Sequence, residues 1–206
     1  MEHTVQQGDS VKSVAFQHGL FWETVWNHPN NAELKALRKN PNILYPGDKL
    51  FVPERVVKEV DAAVDGLHQF KVKNVPDKLK VRFLKQGEPR ADVPYTLDVD
   101  GETSQGNTDG GGWVIKTIKP NAKKAKFDFG KGEVFEMKLG HLDPIDTVSG
   151  LQARLANMGI WEGAVDGQVT PEFTDALKGY QKKRGLTESG EPDAGTQQKV
   201  EEEYGS

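Results

Sequence analysis

The sequence of 206 residues contains no cysteine. That excludes disulfides, cysteine-ligated zinc, iron–sulfur clusters and thiol nucleophiles, and it leaves the compartment open. No apolar run approaches the roughly 18 residues of a membrane-spanning helix. There is no basic excess: 27 Lys and Arg face 31 Asp and Glu, a net charge of −4, and a nucleic-acid binder would carry a basic footprint. Met1-Glu2-His3-Thr4 offers neither a charged n-region nor an apolar h-region, so no secretory signal is expected in this sequence. Hydrophobic residues make up only 35%, beside 22 Gly and 11 Pro. One large core is therefore not expected; small, loop-rich modules are.

What is present changes texture along the chain. The expected organisation is a module at 1–53, a linker at 54–69, a β-domain at 70–144 and a helical module at 145–206. Residues 1–53 hold 5 basic and 5 acidic residues, whereas 145–206 hold 6 and 11, so the acidity belongs to the last module. Glu201-Glu202-Glu203 supplies three of those charges and reads as a solvated helix face.

In the first module Thr4-Val5-Gln6 starts a strand and Gly8-Asp9-Ser10 breaks it. Asp9 or Ser10 can cap a helix carrying Val11, Val14 and Ala15, which Gly19 ends. A second helix runs from about Trp22 with Val25 and Trp26 inward, and Ala32 to Leu37 adds a further helical turn. Asn40-Pro41-Asn42 and Tyr45-Pro46-Gly47-Asp48 are turn chemistry, and Lys49 to Val52 closes as a strand before Pro53. The order is β-α-α-β. In the middle, Leu79, Val81, Phe83 and Tyr95, Leu97, Val99 alternate at period two. Asp100-Gly101 and Asp109-Gly110-Gly111-Gly112 signal a hairpin or loop. Trp113 to Ile115, Ala125 to Phe129 and Val134 to Leu139 bring the count to about six strands, a small antiparallel β-sandwich. In the last module Leu151, Leu155 and Met158 mark one helix. Thr170-Pro171 begins a second with the stripe Phe173, Ala176, Leu177, Tyr180, and Asp193 or Thr196 begins a third with Val200 and Tyr204.

Thr4-Val5 with Gly8-Asp9-Ser10-Val11, then Ile43-Leu44-Tyr45-Pro46-Gly47-Asp48-Lys49-Leu50 and Val52-Pro53, resemble a LysM module, with Asn31 to Lys39 as an added stretch. Leu151-Gln152, Leu155, Met158-Gly159, Gly163, Val165-Asp166-Gly167, Ala176-Leu177, Tyr180-Gln181, Gly185-Leu186, Asp193-Ala194 and Thr196 resemble a three-helix peptidoglycan-binding domain. Thr170 and Phe173 depart from that pattern. The whole, with Val93 to Gly101 in the β-domain and Leu139 to Pro144 after it, resembles signal-less bacterial proteins associated with type VI secretion or contractile injection spikes. The fold class expected is multidomain α+β: a βααβ LysM module, a central β-sandwich and a C-terminal three-helix domain.

The LysM resemblance implies a shallow groove for N-acetylglucosamine glycans. It lies between the turn Gly8, Asp9, Ser10, Val11 and the loop Asn42, Ile43, Leu44, Tyr45. Backbone amides there can match an N-acetyl group, and apolar contacts can match the acetyl methyl and the sugar face. The competing reading makes the same residues turn and cap positions of the fold, and the sequence leaves both open. In the last module Trp161, Asp166 and Gly167 are candidate ligand contacts; Trp161 could equally cover the helical core. Trp26 and Tyr180 read as core, and Trp22 as half exposed.

Catalysis finds no constellation. His3, His18, His28, His68 and His141 are scattered with no H-E-x-x-H pair, and His141 reads as a domain-junction residue. No pair of carboxylates sits in a setting that would raise one pKa, and no G-x-S-x-G elbow occurs. Asp98, Asp100 and Asp109 lack the rest of a calcium loop and read as turn residues. Neither metal nor cofactor is expected. The resemblance implies a non-catalytic peptidoglycan-binding protein, an accessory of an injection machine. It would be made in the cytoplasm and delivered to the periplasm or envelope. The alternative is a structural adaptor for a spike or effector protein with little glycan affinity. Neither reading involves nucleic acid or membrane insertion.

Overall fold

The computed structural model describes residues 1–56, 61, 66–67 and 76–205. The expected linker at 54–69 lies largely outside these residues, as do His68 and the start of the expected β-domain. The chain divides into two compact units. One comprises Met1–Asn42 and Pro46–Gly140, the other Ile43–Tyr45 with His141–Ser206.

The first unit opens with β1 (Glu2–Thr4), which pairs antiparallel with β2 (Lys49–Phe51) in the register His3 to Leu50. Between them run α1 (Val11–Gln17), α2 (Trp22–Trp26), a 3-10 turn (Pro29–Asn31) and α3 (Ala32–Arg38). The expected β-α-α-β order is present, and the added stretch after the second helix forms α3. Ser10, not Asp9, caps α1: its hydroxyl accepts from Ser13 N at 3.1 Å, and Ser13 Oγ accepts from Ser10 N at 2.9 Å. This reciprocal box satisfies two otherwise orphaned N–H groups. The small core holds Val5, Val11, Val14, Val25, Trp26, Leu50 and Val52. At its base lies a fully buried polar residue, Asn31. Its amide donates to Val25 O (2.7 Å) and Phe51 O (2.8 Å) and accepts from Phe51 N (2.7 Å). The side chain thus ties the 3-10 turn to the outer edge of β2.

The β-rich portion of the same unit contains β3 (Asp77–Arg82), β4 (Leu84–Lys85), β5 (Glu88–Pro89), β6 (Pro94–Val99), β7 (Glu102–Asn107), β8 (Trp113–Ile118), β9 (Lys124–Asp128) and β10 (Val134–Lys138). One antiparallel sheet has the order β10-β9-β6-β7; β3 pairs with β8 and β4 with β5. Leu79, Phe83 and Val114 from the small ribbons bury with Tyr95, Leu97, Ala125 and Phe127 from the larger sheet. The alternation read in the sequence is therefore that of two antiparallel layers sharing one core. Asp100 and Gly101 both have positive φ, 49° and 91°, as a two-residue primed hairpin turn between β6 and β7 demands. Lys12 of α1 reaches Asp77 of β3, Nζ to Oδ1 at 2.7 Å.

The second unit holds three helices: α4 (Val148–Asn157), α5 (Pro171–Lys183) and α6 (Ala194–Tyr204). Thr147, Thr170 and Asp193 cap them, each side chain accepting a backbone N–H of the first turn. Leu151, Leu155, Phe173, Leu177 and Val200 are completely buried between them. Each such side chain contributes about 1.5–3 kcal/mol of hydrophobic stabilisation. Among the described residues no helix is long and apolar enough to cross a membrane.

Candidate glycan-binding sites in the two end modules

The turn after β1 is held by its own side chains. Asp9 Oδ2 accepts from Gln6 N and meets His3 Nε2, both at 3.0 Å, and its side chain is only 11% exposed. Ser10 is committed to the α1 cap. Val11 is fully buried, and its N–H donates to Pro41 O at 2.9 Å. This last bond joins the first turn to the loop preceding Asn42. Asn42 is exposed and donates its N–H to Asn40 Oδ1 at 2.9 Å. Farther along the loop Ile43 and Leu44 are buried, while Tyr45 is 39% exposed.

Gly8 is buried by the β-rich portion of its own unit. Lys123, which precedes β9, donates from Nζ to Gly8 O at 2.8 Å and lies 3.6 Å from Asp9 Oδ1. Gly140 also packs against this carbonyl: a Cβ built there would fall 2.8 Å from Gly8 O. Only a glycine allows that contact. Of the expected groove residues in this unit, Ser10, Asp9 and Asn42 keep accessible surface, whereas Gly8 and Val11 do not. The tryptophans divide as expected: Trp26 is core, and Trp22 is half-buried with Lys12 Nζ 5.9 Å from its ring centroid.

In the second unit the candidate loop after α4 is organised by a residue with no exposure at all, Gln152. Its Oε1 accepts from Asp166 N (3.1 Å) and Gly167 N (2.8 Å), and its Nε2 donates to Gln168 O (2.9 Å). Asp166 turns its carboxylate onto Gln168 N at 2.9 Å. Trp161 is half-buried, edge-on to Phe173 at 5.1 Å, and donates Nε1–H to Ala164 O at 3.0 Å. The three candidates thus lie on one loop, and each makes structural bonds within it.

Gln181 does the same for the loop that follows α5. Also fully buried, it accepts from Gly190 N (2.8 Å) and donates to Thr196 Oγ1 (2.9 Å), Ser189 Oγ (3.0 Å) and Glu191 O (3.1 Å). These two glutamines shape both loops of the module. Their signal in the sequence is the pair Leu151-Gln152 and Tyr180-Gln181, but periodicity alone assigns a glutamine to a surface. Arg154, 1% exposed, is a further buried polar residue; Nη1 donates to Asp143 O and Gly150 O, and burial lowers the guanidinium pKa.

A cleft of about 450 Å³ opens between the end of α4 and the outer side of α5. Met158, Ile160, Ala176, Gly179, Lys183 and Arg184 line it. Tyr180 borders it, its ring packed in the core and its hydroxyl buried without a hydrogen bond. Burial pushes that phenol up to about 12, and the nearby Glu203 carboxylate adds to the shift. Glu203 is itself paired with Arg184, 2.6 Å from Nε. The cleft combines apolar lining with Lys183 and the Glu203-paired Arg184, a setting for a small amide- and carboxylate-bearing ligand.

No group of three or more His, Asp or Glu among the described residues could hold a metal ion. Asp98, Asp100 and Asp109 all spend their carboxylates on backbone N–H groups of turns: Gly101, Lys123 with Lys124, and Gly111 with Trp113.

Two family models match this chain: a LysM domain over residues 3–34 and a putative peptidoglycan binding domain over residues 145–200. No curated protein matches it. Among solved structures it is similar to a periplasmic domain of the EpsAB fusion protein of the Vibrio vulnificus type II secretion system, at 12% identity and a TM-score of 0.23. That match covers 61% of this chain and 64% of the other, and a likeness so distant bears on neither fold nor function. The chain therefore carries one match to a LysM domain and one to a peptidoglycan binding domain, both binding modules, and together they support peptidoglycan recognition.

Proposed function

We propose that this protein is a non-catalytic binder of peptidoglycan that attaches through both end modules. The observation that carries the reading is the pair of wall-binding matches in one chain. Two modest sites on one polymer reinforce each other because the second attachment is intramolecular. In the LysM module the glycan would contact Asp9, Ser10 and Asn42, the groove residues of the first unit that keep accessible surface, and would compete with Lys123 for the Gly8 carbonyl. In the last module, contacts would come from Trp161, Asp166 and Gly167 and from the cleft that Lys183 and Arg184 help to line. Such a protein works in the cell envelope or periplasm.

The test is co-sedimentation of the full chain with purified sacculi, repeated with residues 145–206 alone, which hold a complete three-helix core. Retention of both is expected. Failure of the full chain to sediment would end the reading.

A second reading makes the protein an accessory of a contractile injection or type VI secretion machine, its LysM fold reused as an adaptor for a spike or effector. One observation favours it: the Gly8 carbonyl is already taken by Lys123 and abutted by Gly140. Co-purification with a spike component, together with no measurable affinity of the full chain for N-acetylglucosamine oligomers, would select this reading over the first.

A further inference from the structure

The ribbon formed by β3 and β8 has two unlike faces. Inward lie Leu79 and Val81 with Val114 and Ile118, packed in the core. Outward, at every second residue of β3, stand Lys78, Lys80 and Arg82; opposite them on β8 stand Thr117, Ile115 and Trp113. All three cations are exposed, and Ile115 is 56% exposed. Alternate residues of a strand are about 6.6–6.8 Å apart, so the three residues are rooted along about 13 Å of β3, and the charged ends of Lys80 and Arg82 converge on Trp113.

The row is ordered but unneutralised. Lys80 Nζ lies 4.4 Å and the Arg82 guanidinium carbon 5.5 Å from the centroid of the Trp113 ring. Arg82 Nε also donates to Gly111 O at 3.0 Å. Among the described residues none of the three cations pairs with a carboxylate. Lys12, Arg90, Lys119 and Lys126 of the same unit each pair with a carboxylate, whereas Lys124 and Lys138 pair with none among the described residues; what sets the ribbon apart is the gathering of Lys80 and Arg82 at Trp113. In a chain of net charge −4, an outward row of unpaired cations beside an exposed isoleucine and a tryptophan calls for an external anion with apolar neighbours.

We infer that this outer face of the β3–β8 ribbon is a third attachment surface, taking the carboxylates carried by the peptides of peptidoglycan. The inference rests on the proposed wall-binding function and assigns the central β-region a share in it. The clustered cations suit closely set carboxylates, and the exposed Ile115 beside them suits the methyl groups between those carboxylates. A nucleic acid would need a wider basic footprint than one three-residue row. No family match covers this ribbon.

The test sediments full-length protein with purified sacculi. Wild type is compared with the variant Lys78→Gln/Lys80→Gln/Arg82→Gln, and with a control of equal charge loss on the other sheet, Lys124→Gln/Lys126→Gln/Lys138→Gln. At about 50 mM salt the ribbon variant is expected to bind about tenfold more weakly, and at about 500 mM, where screening is short-ranged, within about twofold of wild type. The control variant should bind as wild type does. A second arm needs no variant: sacculi whose carboxylates are capped as neutral amides should hold wild type about tenfold more weakly at low salt. Wild-type binding that is indifferent to both capping and the ribbon substitutions would overturn this inference and leave the wall-binding function standing. Equal loss by the control would also overturn it, reducing the effect to net charge. So would a ribbon variant that binds sacculi normally but loses self-association, which would assign the row to the acidic surface of a second copy. If wild type does not sediment at all, both readings fall.

Discussion

Gln181 offers the sharpest test of how the last module is built. Replacing it with leucine keeps the volume roughly constant, so no cavity term enters. Five hydrogen bonds disappear, the longest of them to Asp193 Oδ2 at 3.4 Å, and they do not count equally. The Gly190 N–H is buried and loses its acceptor at 2.8 Å; an orphaned buried N–H costs about 1–3 kcal/mol. The Thr196 hydroxyl, with no exposed surface, loses its donor at 2.9 Å, for about another 1 kcal/mol. Ser189 and Glu191 are exposed, and water replaces the glutamine there. The sum is about 2–4 kcal/mol, which lowers the melting temperature of so small a unit by roughly 10–25 °C. Thermal unfolding of residues 145–206, followed by far-UV circular dichroism, measures it. A companion, Gln181→Glu, separates hydrogen bonding from packing. Its protonated form can still donate, whereas its ionised form sets a buried charge against Glu191 O and Asp193. Burial raises the folded pKa of the new carboxyl above its unfolded value of about 4.3. Its stability is therefore retained below about pH 4 and lost as the pH rises. A melting temperature for Gln181→Leu within about 4 °C of wild type, or a pH-independent Gln181→Glu, would refute the claim that this side chain organises the loop.

Three further outcomes are expected. Tyr180 has its phenol pushed from 10.0 to about 12 by burial. The stability this confers is whole below about pH 10 and drains away as the pH climbs through 12, so Tyr180→Phe should blunt alkaline unfolding in that window. Because the hydroxyl makes no hydrogen bond, the same change at neutral pH should be neutral or stabilising by up to about 1 kcal/mol in urea denaturation. Asn31→Ala should destabilise the first unit by about 2–4 kcal/mol in the same assay, since the Phe51 N–H and C=O lose the Asn31 amide, while Val25 O keeps the His28 N–H. Lys123→Met should cost about 1–3 kcal/mol in the same assay, because the buried Gly8 carbonyl loses its donor. It should also raise affinity for N-acetylglucosamine oligomers about threefold or more in calorimetry, because it frees the Gly8 carbonyl; unchanged affinity would mean that Lys123 does not compete with sugar.

The regions of the fold legible in the sequence are those set by neighbours. Thr170-Pro171 starts a helix wherever it stands before an apolar stripe, and Asp100-Gly101 turns a hairpin because both residues tolerate positive φ. Strand β7 is not legible in this way: Glu102–Asn107 carries no apolar alternation and is mostly exposed, and it is a strand because β6 supplies its partner in register. Asn31, Gln152 and Gln181 are illegible as core for a related reason. A polar residue can be fully buried only when its partners are supplied from elsewhere, and here they lie up to 20 residues along the chain.

The candidate site carries the same lesson one step further. Gly8, Asp9, Ser10 and Val11 can be read as ligand positions or as turn positions, and each of them has a structural bond to account for it. Three of those bonds are what a turn and a helix cap need. The fourth is not: the partner of the Gly8 carbonyl is Lys123, 115 residues away. Gly8 is buried, so its carbonyl needs a partner, but neither the turn nor the cap dictates that the partner be a lysine from the β-rich portion. Its presence makes this carbonyl the point where glycan binding and domain packing compete for one acceptor, and the Lys123→Met titration decides which of them it serves.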